Sequence, residues 1–217
     1  MTKDIELVRA IARAPLRTAR FQSVQHFGSN PWRTLTRIAD HGGLAHLTQG
    51  IYTAPPDGRD GRTWKPTLEA AALAVATARF GNRNAILMGL GAARYWAALP
   101  RAIGITTVAV PVAGRAPVTI NNGATAHFIP RDLDHLDAVL ERTELGEALV
   151  TTPAQTLFDL VMKPNQGGAP DIAAEAARLI AAQVSADDLS EVIDQAGRAN
   201  NSLRQILKDL EERDDLT

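Results

Sequence analysis

At 217 residues, 45% of them hydrophobic and 22% charged, the chain has the size of one large domain or two small ones and the composition of a globular fold rather than a disordered segment. Its formal net charge of −1 hides an asymmetry: residues 1–65 carry 10 Lys and Arg against 5 Asp and Glu, whereas residues 131–217 carry 8 against 18. The lack of cysteine excludes disulfides, thiolate metal sites and cysteine nucleophiles, and no apolar run approaches the ~20 residues of a membrane span.

The opening stretch from Met1 to Glu6 lacks the charged-then-apolar layout of a signal peptide, so a cytoplasmic location is expected. Apolar residues at Ile5, Val8, Ile11 and Ala12, with Lys3, Arg9 and Arg13 among them, predict an amphipathic helix that Pro15 ends. A second short helix is predicted over Thr18 to His26, burying Phe21, Val24 and Phe27 and stopped by Gly28. Ser29 or Asn30 then caps a third helix, Trp32 to His41, with Pro31 at its first position. That helix buries Trp32 or Leu35, Ile38 and Ala39 and exposes Arg33, Thr34, Thr36 and Arg37. Leu44 to Leu47 and Ile51 to Thr53, flanking Thr48-Gln49-Gly50, read as a β-hairpin.

Helix, helix, turn, helix and hairpin make a winged helix-turn-helix, the expected architecture of residues 1–55. In that fold the third helix enters the major groove, where Arg33, Thr34 and Arg37 reach base edges; Arg can pair with guanine through two hydrogen bonds. Arg13, Arg17 and Arg20, with Gln49 and His46 on the hairpin, are placed against phosphates, and Ser29 and Asn30 at the helix start complete the DNA-binding set. The same fold also serves protein contacts alone, and an Arg-rich helix surface is often just a solvated face. Trp32 and Tyr52 read as packing residues.

Residues 56–66 collect Pro56, Gly58, Gly61 and Pro66 among charged residues and read as a loop or linker, whose Arg59, Arg62 and Lys65 can track a phosphate backbone. Residues 67–217 then mix helical and extended patterns. Helices are predicted over Thr67 to Phe80 and Ala92 to Leu99, from Pro153 with Thr152 as cap, and over Pro170 to Ala182, Ser185 to Ala196 and Ser202 to Glu212. Extended segments are predicted at Ala85 to Met88, Ile105 to Val112, Val118 to Ile120, Thr125 to Ile129 and Ala148 to Thr151, with a turn at Gly114 to Pro117 and a hairpin signal at Asn122-Gly123. The fold class is α+β: an N-terminal winged helix-turn-helix followed by a mixed α+β domain ending in helices.

Enzyme motifs fail their context tests. Gly89-Leu-Gly91-Ala-Ala-Arg94 looks like a dinucleotide fingerprint, but Arg94 stands where Gly or Ala is needed and no acidic residue follows ~20 positions on. Close helix packing accounts better for the glycines. His127, Asp132, Asp134, His135 and Asp137 are near in sequence but lack a His-x-x-x-His pair, and they read as the solvated start of a short helix after Pro130. No Walker loop or Gly-x-Ser-x-Gly is present, so no catalytic residue, metal or cofactor is expected.

Three segments carry a family resemblance: Gly43 to Pro55, Leu87-Met-Gly-Leu-Gly-Ala-Ala-Arg-Tyr-Trp-Ala-Ala-Leu99, and Thr151-Thr-Pro-Ala-Gln-Thr-Leu-Phe-Asp159. In this order along the chain they resemble the AbiEi antitoxin family of type IV toxin-antitoxin systems, which act in phage defence. The resemblance implies a winged helix that represses its own operon at inverted-repeat operator DNA upstream. It also implies a C-terminal domain that neutralises a nucleotidyltransferase-like toxin, directly or indirectly. Arg94, Thr156 and Asp159 fall in the matched segments and are the candidate toxin-neutralising residues; for Thr156 and Asp159 a helix-capping or structural hydrogen bond is the competing role. Two alternatives stay open beside the autorepressing antitoxin: a module that inhibits the toxin by direct binding through its acidic back half, and an enzyme acting through the Asp132 to Asp137 cluster.

Overall fold

The computed structural model describes residues 2–28, 30–99, 103–112, 117–120 and 123–216. The chain begins with α1 (Thr2–Arg13), β1 (Thr18–Arg20), a 3-10 stretch (Phe21–Phe27), α2 (Pro31–Asp40), β2 (Ala45–Thr48) and β3 (Ile51–Thr53). The strands form one antiparallel sheet in the order β1-β3-β2, which with the helices is the winged helix-turn-helix arrangement.

Two expectations for this unit change. The buried side of α1 is Leu7 and Ile11, with Val8 and Ala12 half-buried, while Ile5 faces solvent; the stripe is rotated from the one its spacing predicts. The helix predicted over Thr18 to His26 is absent. Thr18–Arg20 instead adds a strand to the free edge of β3, pairing with Thr53, Tyr52 and Ile51, and only Phe21–Phe27 turns. An open sheet edge presents unpaired N–H and C=O groups, and satisfying them outweighs the weak helix propensity of one short turn. The third helix and the hairpin form where expected. The Asn30 side chain accepts the Arg33 N–H at 3.1 Å, and Pro31 takes the first helical position, where its missing N–H costs nothing. Gln49-Gly50 makes the turn, Gly50 supplying the φ of 73°. Ser29, the other proposed cap, lies outside the described residues, as do Gly114 to Ala116 and Asn122 of the predicted turns.

Residues 56–66 form a fastened loop rather than a free spacer. The Arg17 guanidinium donates to the Ala54 and Pro55 carbonyls at 2.9 and 3.0 Å, Gly61 N–H reaches the Gly42 carbonyl at 2.8 Å, and Pro66 is buried.

The second part contains α3 (Leu68–Phe80), β4 (Ile86–Met88), α4 (Gly89–Tyr95), β5 (Ile105–Val110), β6 (Val118–Thr119), β7 (Thr125–Pro130), β8 (Ala138–Thr143) and β9 (Gly146–Thr151). It ends in α5 (Pro153–Met162), α6 (Pro170–Ile180), α7 (Ala186–Ala196) and α8 (Asn201–Asp214). The strands make a six-stranded mixed sheet in the order β6-β7-β5-β4-β9-β8, parallel at β5/β7 and β4/β9 and antiparallel elsewhere. The hairpin β8-β9 is a correction: sequence reading takes only Ala148 to Thr151 as extended and passes over β8. That strand is the sheet's outer edge, its Val139 and Leu140 are exposed, and its charged residues break the apolar rhythm.

Helix α3 is buried continuously from Leu68 to Thr77 and covers one sheet face, over Leu87, Val108, Val110, Phe128 and Val150. Its alanines allow close approach, and burial of a residue such as Leu73 stabilises the fold by about 1.5–3 kcal/mol. The same core takes in Leu16, Leu47 and Ile51 from the N-terminal unit, so the two parts share one apolar cluster. A second cluster gathers α4 with α5 to α8 around Leu90, Leu157, Ile180 and Leu203. Gly91 explains the glycine motif that opens α4. A methyl group there would collide with the Thr106 hydroxyl and the Leu87 side chain, so the glycine lets the helix lie on the sheet. Helices α5, α7 and α8 start on side-chain caps from Thr152, Ser185 and Asn200.

Candidate functional site

The surface built by α2 and the wing is open to solvent. Leu35 and Ile38 turn inward, which leaves Arg33 and Arg37 on the outer side of the helix and Trp32, Thr36, Ala39 and Asp40 on the side facing the hairpin. Between them and His46, Gln49 and Tyr52 runs a shallow cleft of about 430 Å³. Tyr52 is buried, packs its ring at a tilt against His46 and bonds its hydroxyl to Thr36 at 3.1 Å, which sets the helix against the wing. Trp32 differs from expectation: it is 41% exposed, edge-on to Phe21 and beside the wing turn. Its spacing of four and seven residues from Thr36 and Ala39 is the one sequence signal that places it on the wing side.

The proposed DNA-binding residues divide into three groups. Arg33 and Arg37 are exposed on the outer side of α2, His46 and Gln49 line the cleft beside it, and Arg20 pairs with Ile51 next to the wing turn. Asn30 and Thr34 adjoin them, but their polar atoms serve the helix: Asn30 as cap, Thr34 by donating to the Asn30 carbonyl at 3.1 Å. Arg13 and Arg17 lie elsewhere. Arg13 is at the far end of α1, and Arg17 is committed to the Ala54 and Pro55 carbonyls, because the left-handed turn at Leu16 and Arg17 redirects the chain. Arg37 is paired with Asp4 at 2.7 Å on the surface, and that guanidinium holds the Asp4 carboxyl below its ordinary value. In the loop, Arg62 is likewise engaged with Asp60, whose pKa falls to about 2 through that hydrogen bond.

The candidate neutralising residues are internal. Arg94 lies 3.4 Å from Glu69 of α3 and donates to the Ile103 carbonyl; burial raises the Glu69 pKa. Thr156 is fully buried and bonds Thr151 at 2.8 Å, joining α5 to β9. Asp159, also buried, is ion-paired with Arg131 at the end of β7, and burial pushes its pKa up to about 6 despite that partner. Motif spacing does not reveal Glu69 or Arg131, since each lies 25 or more residues from its partner. Among the described residues, Asp159 Oδ2 and Arg131 Nε are buried without a hydrogen bond. Of the acidic cluster, Asp132 contacts His135 at 2.9 Å, Asp137 accepts from Thr152 at 2.5 Å, and His127 sits apart beside Gly168, its pKa lowered by burial.

Among the described residues no group of three or more His, Asp or Glu is arranged to hold a metal ion, and no helix is long and apolar enough to cross a membrane. No curated protein matches the chain significantly. Its fold is similar to that of the RV2827C protein from Mycobacterium tuberculosis, at 19% identity and a TM-score of 0.59 over 97% of this chain and 76% of that one. The model of the AbiEi antitoxin C-terminal domain matches residues 84–209, which include the whole run from β4 to α7 and most of α8. The chain therefore belongs to the AbiEi antitoxin family and is the antitoxin of a toxin-antitoxin pair.

Proposed function

We propose that this antitoxin is the cytoplasmic autorepressor of a type IV pair: its winged helix binds inverted repeats upstream of its own operon, and its C-terminal part neutralises a nucleotidyltransferase-like toxin without a catalytic step of its own. One observation carries the reading. The side of α2 that bears Arg33 and Arg37 is solvent-exposed beside the wing, so its side chains can enter a major groove while Gln49 and Arg20 reach flanking phosphates. The basic balance of residues 1–65 adds the long-range attraction to a polyanion. The test is fluorescence anisotropy with the DNA upstream of the gene. Affinity is expected to fall steeply with salt and to exceed that for a scrambled duplex; no binding even at low salt overturns the reading.

Neutralisation by direct contact has its own support. An apolar cleft of about 460 Å³ opens between α5, α6 and α8, lined by Leu160, Val161, Ala177, Ile206 and Leu210, in the strongly acidic part of the chain. It suits an apolar segment of a basic toxin surface. Co-purification of a complex that survives high salt is the expected result for this route, whereas toxin rescue without any complex counts against it.

A further inference from the structure

A further groove lies away from the α2 surface. It lies where the N-terminal unit meets the sheet, between the end of α1 with its following turn and the β8-β9 hairpin, and encloses about 560 Å³, the size of a small-molecule site. Arg13 reaches it from α1, Arg83 from the loop before β4, and Arg142 from β8. All three are exposed, and among the described residues none has a salt bridge or a side-chain hydrogen bond to another residue. Two carboxylates, Glu144 and Glu147, also line the groove, against these three guanidinium groups and that of Arg17. Cations are thus in excess here although this half of the chain is acidic. Leu16 and Leu140 give the groove an apolar side.

The backbone around it is unusual. Leu16, Arg17 and Arg83 have φ of 49°, 51° and 62°, a left-handed conformation that side chains seldom adopt and that clusters at binding sites. The position also separates this groove from the proposed DNA surface. Asp4, which holds Arg37, and Arg13 are nine residues apart on α1, or about 14 Å along its axis.

From these features we infer that the groove between the winged unit and the β8-β9 hairpin binds a small phosphorylated molecule of the nucleoside di- or triphosphate class. Arg13, Arg83 and Arg142 bind its phosphates, and the leucine side receives its organic part. Guanidinium groups match phosphate oxygens through paired hydrogen bonds, and three of them lining one recess suit a compact polyanion better than the convex backbone of a duplex. Such a ligand touches both parts of the chain at once.

The experiment is titration calorimetry of the full chain with ATP, using sulfate at equal ionic strength as the control for bulk charge. Saturable one-to-one binding of ATP, absent for sulfate, is expected. Arg13→Gln and Arg142→Gln, at exposed positions with regular backbone, should each weaken it by roughly tenfold, with thermal melting of the free variants unchanged. Arg33→Ala on α2 should leave it intact. The inference is overturned if ATP gives no saturation, if sulfate binds as well, or if Arg33→Ala weakens binding as much as the groove substitutions do. It fails equally if both groove variants bind like the parent. None of these outcomes depends on whether the chain binds DNA.

Discussion

Carboxylate–arginine pairs occur in both parts of the chain, in opposite settings. In the winged unit and its loop, Asp4–Arg37 and Asp60–Arg62 stand in water, where solvent screens them and the arginine can exchange its carboxylate partner for a phosphate at little cost. In the C-terminal part, Glu69–Arg94 and Asp159–Arg131 are enclosed, and each joins elements far apart in sequence: α3 to α4, and β7 to α5. There, loss of one partner strands a charge in a poorly solvated place. One pairing chemistry therefore gives an adaptable surface at one end and fixed joints at the other, which is why a motif match at Arg94 or Asp159 is a statement about architecture before it is one about toxin.

The strongest test of that contrast is Arg131→Met. Asp159 has a folded-state pKa of about 6, above the ordinary 3.8, so what its acid form contributes to stability is complete below about pH 4 and is lost as pH rises through about 6. Without Arg131 the carboxylate is driven further toward its acid form. Denaturant unfolding at pH 8 should show a loss of about 3–5 kcal/mol, and a smaller loss at pH 5; equal losses at both pH values would mean that Arg131 acts by packing alone. Next comes Arg33→Ala, expected to weaken operator binding roughly 10- to 100-fold in an anisotropy titration while leaving the melting temperature unchanged. If Arg131→Met, at a pH where it remains folded, weakens DNA binding as much, the division between surface and joint is wrong.

Smaller effects sharpen the comparison. Asn30→Ala removes the cap of α2 and should lower stability by about 1 kcal/mol by chemical denaturation; a change under a third of that would show the helix start held by other contacts. Asp4→Asn frees Arg37 and should tighten DNA binding by roughly twofold at low salt, fading as salt rises. Weaker binding in that variant would show that the pair positions Arg37 rather than restraining it.

Much of the fold is legible in the sequence where local signals agree. The stop at Pro15, the Asn30-Pro31 start of α2, the Gln49-Gly50 turn, the Thr152-Pro153 start of α5 and the three final helices all carry their own punctuation. The strand at Thr18–Arg20 is not legible, because a helical rhythm at Phe21, Val24 and Phe27 overlaps it and only the edge of β3 makes it extended. Strand β8 is missed for a related reason: an edge strand with exposed apolar and charged residues has no alternation to read. In the candidate site, Arg33 is readable from helix phase alone. Arg13 and Arg17 are misplaced because residue type cannot report the turn at Leu16, which carries both away from the wing.

The apolar cluster common to Leu16, Leu47, Ile51 and the α3 layer has a practical consequence. The leading segment cannot be exchanged as an independent cassette, since cutting there would bare a greasy seam on both pieces. Heating should melt the molecule in one cooperative step rather than two.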